Sequence, residues 1–197
     1  MGTPPPLASA VTAPPARSNG KAYPCPIHSP TEYFRPRWYA AYTCARHEKR
    51  VAEQLRARSI DTFLPLYRAG RRWKNGPAIV HLPLFPGYVF VRIALRDRRE
   101  VLHVPSVVRL VGFDGQPAAI PDQEIEGLQQ LLAGALRAEP HPYLSVGRRV
   151  RVRGGPLEGT EGVILRRKNS AKLVISLELI QRSVAVELEE AYLQPVL

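Results

Sequence analysis

Leu84-Phe85-Pro86-Gly87-Tyr88-Val89-Phe90-Val91-Arg92-Ile93 is the stretch on which the fold turns. Pro86-Gly87 permits a sharp reversal, and the apolar run behind it predicts a central strand buried on both faces. Upstream, Trp38-Tyr39-Ala40-Ala41-Tyr42-Thr43 reads as another strand. Residues 46–58 then carry Val51 and Leu55 four apart and predict a helix whose other positions are largely basic. Thr62 to Tyr67 is strand-like. The chain next runs through Arg71-Arg72-Trp73-Lys74, turns at Asn75-Gly76-Pro77 and returns as Ala78 to Leu82, a hairpin signal. Downstream, residues 96–103 predict a short helix and Val107 to Phe113 a strand. Asp114-Gly115 is a turn and Ala118 to Ile120 a short extension. Pro121-Asp122 opens a helix with Ile125, Leu128, Leu131, Leu132 and Leu136 on its inner stripe. Together these predict an α+β domain over 37–136, an antiparallel-type sheet flanked by helices.

The flanks have a different texture. Residues 1–36 hold nine prolines and predict a disordered Pro/Ala-rich tail, because too little apolar surface is present to offset ordering entropy. Residues 137–145 carry two prolines without periodicity and read as a linker. Residues 146–197 are short strands around Val150, Val152, Val163, Ile164, Val174, Ile175, Val184 and Val186, punctuated by Gly154-Gly155-Pro156 and Asn169-Ser170. A small all-β barrel is expected there.

Charge narrows the functional classes. The 197 residues carry a net +11, and 45% are hydrophobic. Residues 37–113 hold 15 basic and five acidic residues, net +10, whereas 114–197 hold ten against 11. The excess is therefore built into the first folded unit, where it points to nucleic acid, rather than into a tail. No apolar run long enough for a membrane helix occurs and the N-terminus lacks a signal-peptide pattern, so a cytoplasmic protein without membrane contact is expected; a monomer is expected as well. Enzyme readings lack their constellations: GxGxxG, the Walker-type loop, GxSxG and HExxH are all missing. Two cysteines, Cys25 and Cys44, give neither a disulfide framework nor metal-ligand spacing, so no cofactor or metal is expected. Cys44 with His47 offers a nucleophile-and-base alternative, but Cys44 is expected to be a small packed residue.

The order WYAAYT, basic helix, hairpin, LFPGYVFV, VVRLVGF, PDQEIEGL resembles the N-terminal domain of NusG-type transcription factors. VGRRVRVRGGPLEGTEGVILRRKNSAKLVISLELIQRSVAVEL resembles the KOW domain that follows it in that family. The LFP-aromatic phrasing is also similar to operon-specialised, RfaH-like antiterminators, although Arg98-Arg99-Glu100 stands where one such subgroup has His-Thr-Thr. The resemblance implies a non-enzymatic elongation or antitermination factor that suppresses pausing on RNA polymerase. It implies docking on the clamp helices of the largest polymerase subunit through Tyr42, Phe85, Pro86, Tyr88, Phe90, Phe113, Ile125 and Leu128. Arg46, Lys49, Arg50 and Arg56, with Arg71, Arg72, Trp73 and Lys74 of the hairpin, would meet upstream or non-template DNA. Leu179, Ile180, Gln181 and Arg182 would contact a small-subunit ribosomal protein or Rho. The alternative class is a KOW-type RNA-binding protein acting on ribosomal or messenger RNA without polymerase.

Overall fold

The computed structural model of the chain describes residues 33–73, 76–133, 138–141, 148–154, 158–167, 170–188 and 193–195. The proline-rich segment before residue 33 lies outside the described residues. At its end, Tyr33 and Phe34 form an edge-to-face ring pair and the Arg96 guanidinium lies 5.7 Å from the Phe34 centroid, so the last residues of the expected tail contact the folded unit.

The first unit is built on a four-stranded antiparallel sheet. Its strands are β1 (Arg37–Thr43), β2 (Asp61–Phe63), β5 (Tyr88–Ile93) and β6 (Val107–Leu110), ordered β2-β5-β1-β6. As its apolar run predicts, β5 is interior to the sheet. Side chains alternate between faces along a strand. On one face, Tyr39, Ala41, Val89 and Val91 share a core with Val51, Ala52 and Leu55 of helix α1 (Glu48–Ala57) and Val101 of the short helix α2 (Arg98–Leu102). On the other, Trp38, Ala40 and Phe90 join Ile125, Leu128 and Leu131 of helix α3 (Asp122–Ala133). Both sides of the sheet are therefore covered, which is why β1 and β5 lack a polar alternation.

Two hairpins decorate this sheet. Among the described residues, strands β3 (Leu66–Trp73) and β4 (Gly76–Pro83) pair only with each other, in register from Leu66↔Pro83 to Trp73↔Gly76. Eight residues of strand make an arm about 25 Å long. The Asn75 of the expected turn lies outside the described residues. Strands β7 (Gly112–Phe113) and β8 (Gln116–Pro117) flank Asp114 and Gly115, whose φ values of 48° and 75° match the left-handed pair of a type I′ turn. Glycine is required at 112 for a different reason: an added Cβ would lie 1.8 Å from the Gln116 carbonyl oxygen.

The second unit is a six-stranded antiparallel sheet, ordered β14-β10-β11-β12-β13-β9. It comprises β9 (Ala138–His141), β10 (Arg148–Val152), β11 (Glu161–Arg167), β12 (Ser170–Leu177), β13 (Arg182–Leu188) and β14 (Leu193–Pro195). One expectation changes here. Ala138–His141, read as linker, pairs with Ser183–Val186 of β13 as an edge strand, a position where Pro140 is tolerated because an edge needs only one hydrogen-bonded side. No helix among the described residues is long and apolar enough to cross a membrane.

The two units share one core. Val150, Val152, Leu173, Ile175, Leu177, Leu179, Ile180, Val184 and Val186 are contiguous with Trp38, Phe85, Phe90, Ile125 and Leu128. At Gly127 the contact is close: a Cβ there would lie 3.5 Å from Thr160 Oγ1.

Candidate partner-docking site

Of the expected docking residues, Phe85, Pro86 and Tyr88 lie at the reversal between β4 and β5, and Tyr42 lies beside it. Phe85, Pro86, Gly87 and Tyr88 form a turn in which the Tyr88 N–H donates to the Phe85 carbonyl at 3.1 Å. Gly87 has φ +87°, and with proline before it this is the type II arrangement. Tyr88 leads into β5 directly opposite Tyr42 of β1, and Tyr42 in turn lies opposite Arg109 of β6. Register thus sets a row across three strands. The tyrosine rings are 5.5 Å apart, and the Arg109 guanidinium lies 5.9 Å from the Tyr42 centroid, a cation–π distance.

Exposure divides the expected set. Tyr42 and Phe113 are each 38% exposed, Pro86 is exposed and Tyr88 is half-buried. Phe85, Phe90, Ile125 and Leu128 are buried in the core shared with the second unit. Phe85 meets Phe90 edge-to-face at 5.7 Å, and Phe90 meets Phe63 at 6.2 Å. Phe85, expected to face a partner, therefore points inward here. Leu179 and Ile180, expected on the surface of the second unit, are also buried in that core, while Gln181 and Arg182 are exposed.

Arg182 lies near enough to the Tyr88 phenol to act on it electrostatically, which brings the two expected surfaces together. Burial raises Tyr88 above its ordinary pKa of 10.0, and the nearby Tyr42 adds to this, while Arg182 and Arg109 oppose it. A folded pKa above the unfolded one means that protonated Tyr88 contributes fully below the unfolded value. That contribution is lost as pH rises through the folded value. Tyr88→Phe is therefore expected to flatten the decline in stability above about pH 10, read as urea midpoints across the alkaline range.

The basic residues expected at nucleic acid fall in two places. Arg46, Lys49, Arg50 and Arg56 are exposed on α1 and the turn before it, where Arg46 has φ 65°. Arg72 is exposed on β3; Arg71 and Trp73 belong to the same strand, and Lys74 lies outside the described residues. Cys44 is exposed rather than packed, and the His47 ring engages Ser106 Oγ at 2.8 Å, so neither expectation of a buried thiol nor a Cys–His pair describes this turn.

One residue of the site escaped sequence reading. Glu48 is buried, and its Oε1 accepts the Gly87 N–H at 2.7 Å. A glutamate opening a basic helix carries no local signal of such a role, since acids are common in first turns for electrostatic reasons alone.

Comparison with known proteins agrees with this architecture. Residues 36–129 match the family model described as transcription termination factor nusG. A transcription termination/antitermination protein NusG of Borreliella burgdorferi is 24% identical over 184 residues, covering 81% of this chain and 98% of the relative. Its counterpart in Deinococcus radiodurans is 29% identical over 180 residues, covering 77% and 95%. Among solved structures, one described as domain interaction in Thermotoga maritima NusG matches in fold with a TM-score of 0.54 at 22% identity, covering 84% of this chain and 99% of that one. The matched residues span the four-stranded sheet, the turn and most of α3, and it is to the NusG-type family that this chain is similar.

Proposed function

We propose that this chain is a non-enzymatic transcription elongation factor of the termination/antitermination class that docks on the clamp helices of RNA polymerase through the Tyr42–Tyr88 turn. The observation that carries the reading is an aromatic pair beside a Pro-Gly turn, packed against the apolar core that holds Phe85, Phe90, Ile125 and Leu128. The names of the full-length relatives support the class. Phe85, Phe90, Ile125 and Leu128 complete the surface once the second unit, read as a KOW barrel, moves aside. Its own expected partner surface around Leu179, Ile180 and Arg182, for a small-subunit ribosomal protein or Rho, is freed by the same movement. In this reading the two docking surfaces cover each other until polymerase is met. Specialisation for particular operons belongs to the same proposal and rests on the LFP-aromatic phrasing alone.

Pull-down with core RNA polymerase, followed by a pausing assay, tests the reading. Wild type is expected to bind and shorten pauses, and Tyr42→Ala to weaken both without lowering the melting temperature. Binding to RNA without binding to polymerase would favour the KOW-type RNA-binding alternative.

The basic face of α1 and the β3–β4 arm are proposed to hold DNA already presented by polymerase. Replacing Arg50 and Arg56 together by Ala is expected to lower the slope of log affinity for single-stranded DNA against log salt by about 1.4. An unchanged slope would make this face ordinary solvated surface.

A further inference from the structure

We infer that Glu48 is a positioning residue that locks the Phe85–Tyr88 turn in its type II form and so presets the Tyr42–Tyr88 pair for docking; the docking half of this rests on the function proposed above. Turns of types I and II differ mainly by a flip of their central peptide, here the one joining Pro86 to Gly87. Its N–H is the group that Glu48 Oε1 holds at 2.7 Å. Flipping the peptide would withdraw that N–H from the carboxylate and take Gly87 from its φ of +87° toward negative values.

The other side of Gly87 is held as well, because its carbonyl accepts the Thr43 N–H at 2.8 Å. Gly87 is thus gripped by the start of α1 and the end of β1 together. Its Cα also packs close to the first tyrosine: an added Cβ would lie 3.3 Å from Tyr42 Cε2. A flip would consequently disturb Tyr42 and Tyr88 at once. The start of α1 has its own anchor in the His47–Ser106 hydrogen bond, so the carboxylate is presented from a fixed point. Burying an acid is unfavourable unless its lone pairs are used, and a bond from an N–H to a carboxylate is among the stronger returns. An apolar residue at 48 would fill the space and leave the peptide free to turn.

The test uses the full-length chain carrying Glu48→Ala or Glu48→Gln. The amide of Gly87 and the nuclear Overhauser effect between the Tyr42 and Tyr88 rings are followed by NMR, and affinity is measured for core RNA polymerase. In Glu48→Ala the Gly87 amide is expected to move upfield, the ring-to-ring effect to weaken, and affinity to fall about tenfold, the equivalent of one charge-assisted hydrogen bond. Glu48→Gln keeps an acceptor oxygen and is expected to restore the ring contact and bring affinity to within about threefold of wild type. If Glu48→Ala melts out, the Gln variant carries the comparison, and a Gln variant that folds but has lost the ring contact overturns the acceptor role. A Glu48→Ala variant with native ring contacts overturns the lock, and one with altered contacts but unchanged affinity overturns its part in docking. Should wild type itself fail to bind polymerase, the proposed function falls, while the NMR measurements still decide the lock.

Discussion

Ile180→Asp is expected to raise the affinity of the full chain for core RNA polymerase about tenfold or more. Ile180 is 4% exposed and sits in the core that runs continuously from the second unit to Phe85, Phe90 and α3. A carboxylate placed there has no described cation to pair with in the core and is strongly unfavourable unless it reaches water. In the proposed function, separating the units gives it water, so the substitution is expected to shift the population from closed to open. When only an open fraction can bind, apparent affinity scales with that fraction, and a closed state favoured by about 100 to 1 could yield up to a hundredfold gain. Arg182→Ala removes only the positive charge beside the Tyr88 phenol and is expected to give a smaller gain of about two- to fivefold, in keeping with one exposed charged contact. Binding isotherms with fluorescent polymerase give both numbers. Circular dichroism establishes that strand content survives, since a variant that had merely lost the second unit's fold would lose its β signal. Unchanged affinity for Ile180→Asp with intact strands would mean that the shared core does not restrain docking.

The fold is legible in the sequence where a single strand or helix decides its own pattern. The run from Tyr88 to Ile93 could only be an interior strand, because both faces of it are apolar, and it lies between β2 and β1. Spacing of Ile125, Leu128 and Leu131 likewise forced a helix with one buried stripe. What that stripe covers is a different matter, because periodicity states that a face is buried and says nothing of the partner. Phe85 and Ile180, each read as partner-facing, instead share a core with each other. The strand Ala138–His141 was illegible for a related reason: an edge strand of four residues containing proline has no alternation to detect, and its pairing depends on β13 arriving from far along the chain. Glu48 carries the plainest lesson. Its role is defined by a backbone N–H 39 positions away, and no local feature of the helix records that distance.

Phe90→Ala is expected to destabilise the protein by about 3–5 kcal/mol, the range for deleting a fully buried aromatic side chain. Phe90 has 0% exposure in an interior strand and is flanked by the rings of Phe85 and Phe63. Against a total stability of about 5–15 kcal/mol, such a loss leaves a marginal fold. Phe90→Leu keeps most of the apolar volume and is expected to cost less than about 1.5 kcal/mol, so the pair separates packing from any specific need for an aromatic ring. Urea midpoints at constant slope measure both. The more informative experiment sets Phe90→Ala in the Ile180→Asp background. If both residues belong to one cooperative core, separation of the units already takes away part of what Phe90 packs against, and the second loss must be smaller than the first. A departure from additivity of about 0.5–3 kcal/mol is the expected size for residues coupled through a shared core. Strict additivity would place Phe90 wholly within the first unit's own stability and leave docking of the second unit to α3 and the Tyr88–Arg182 contact.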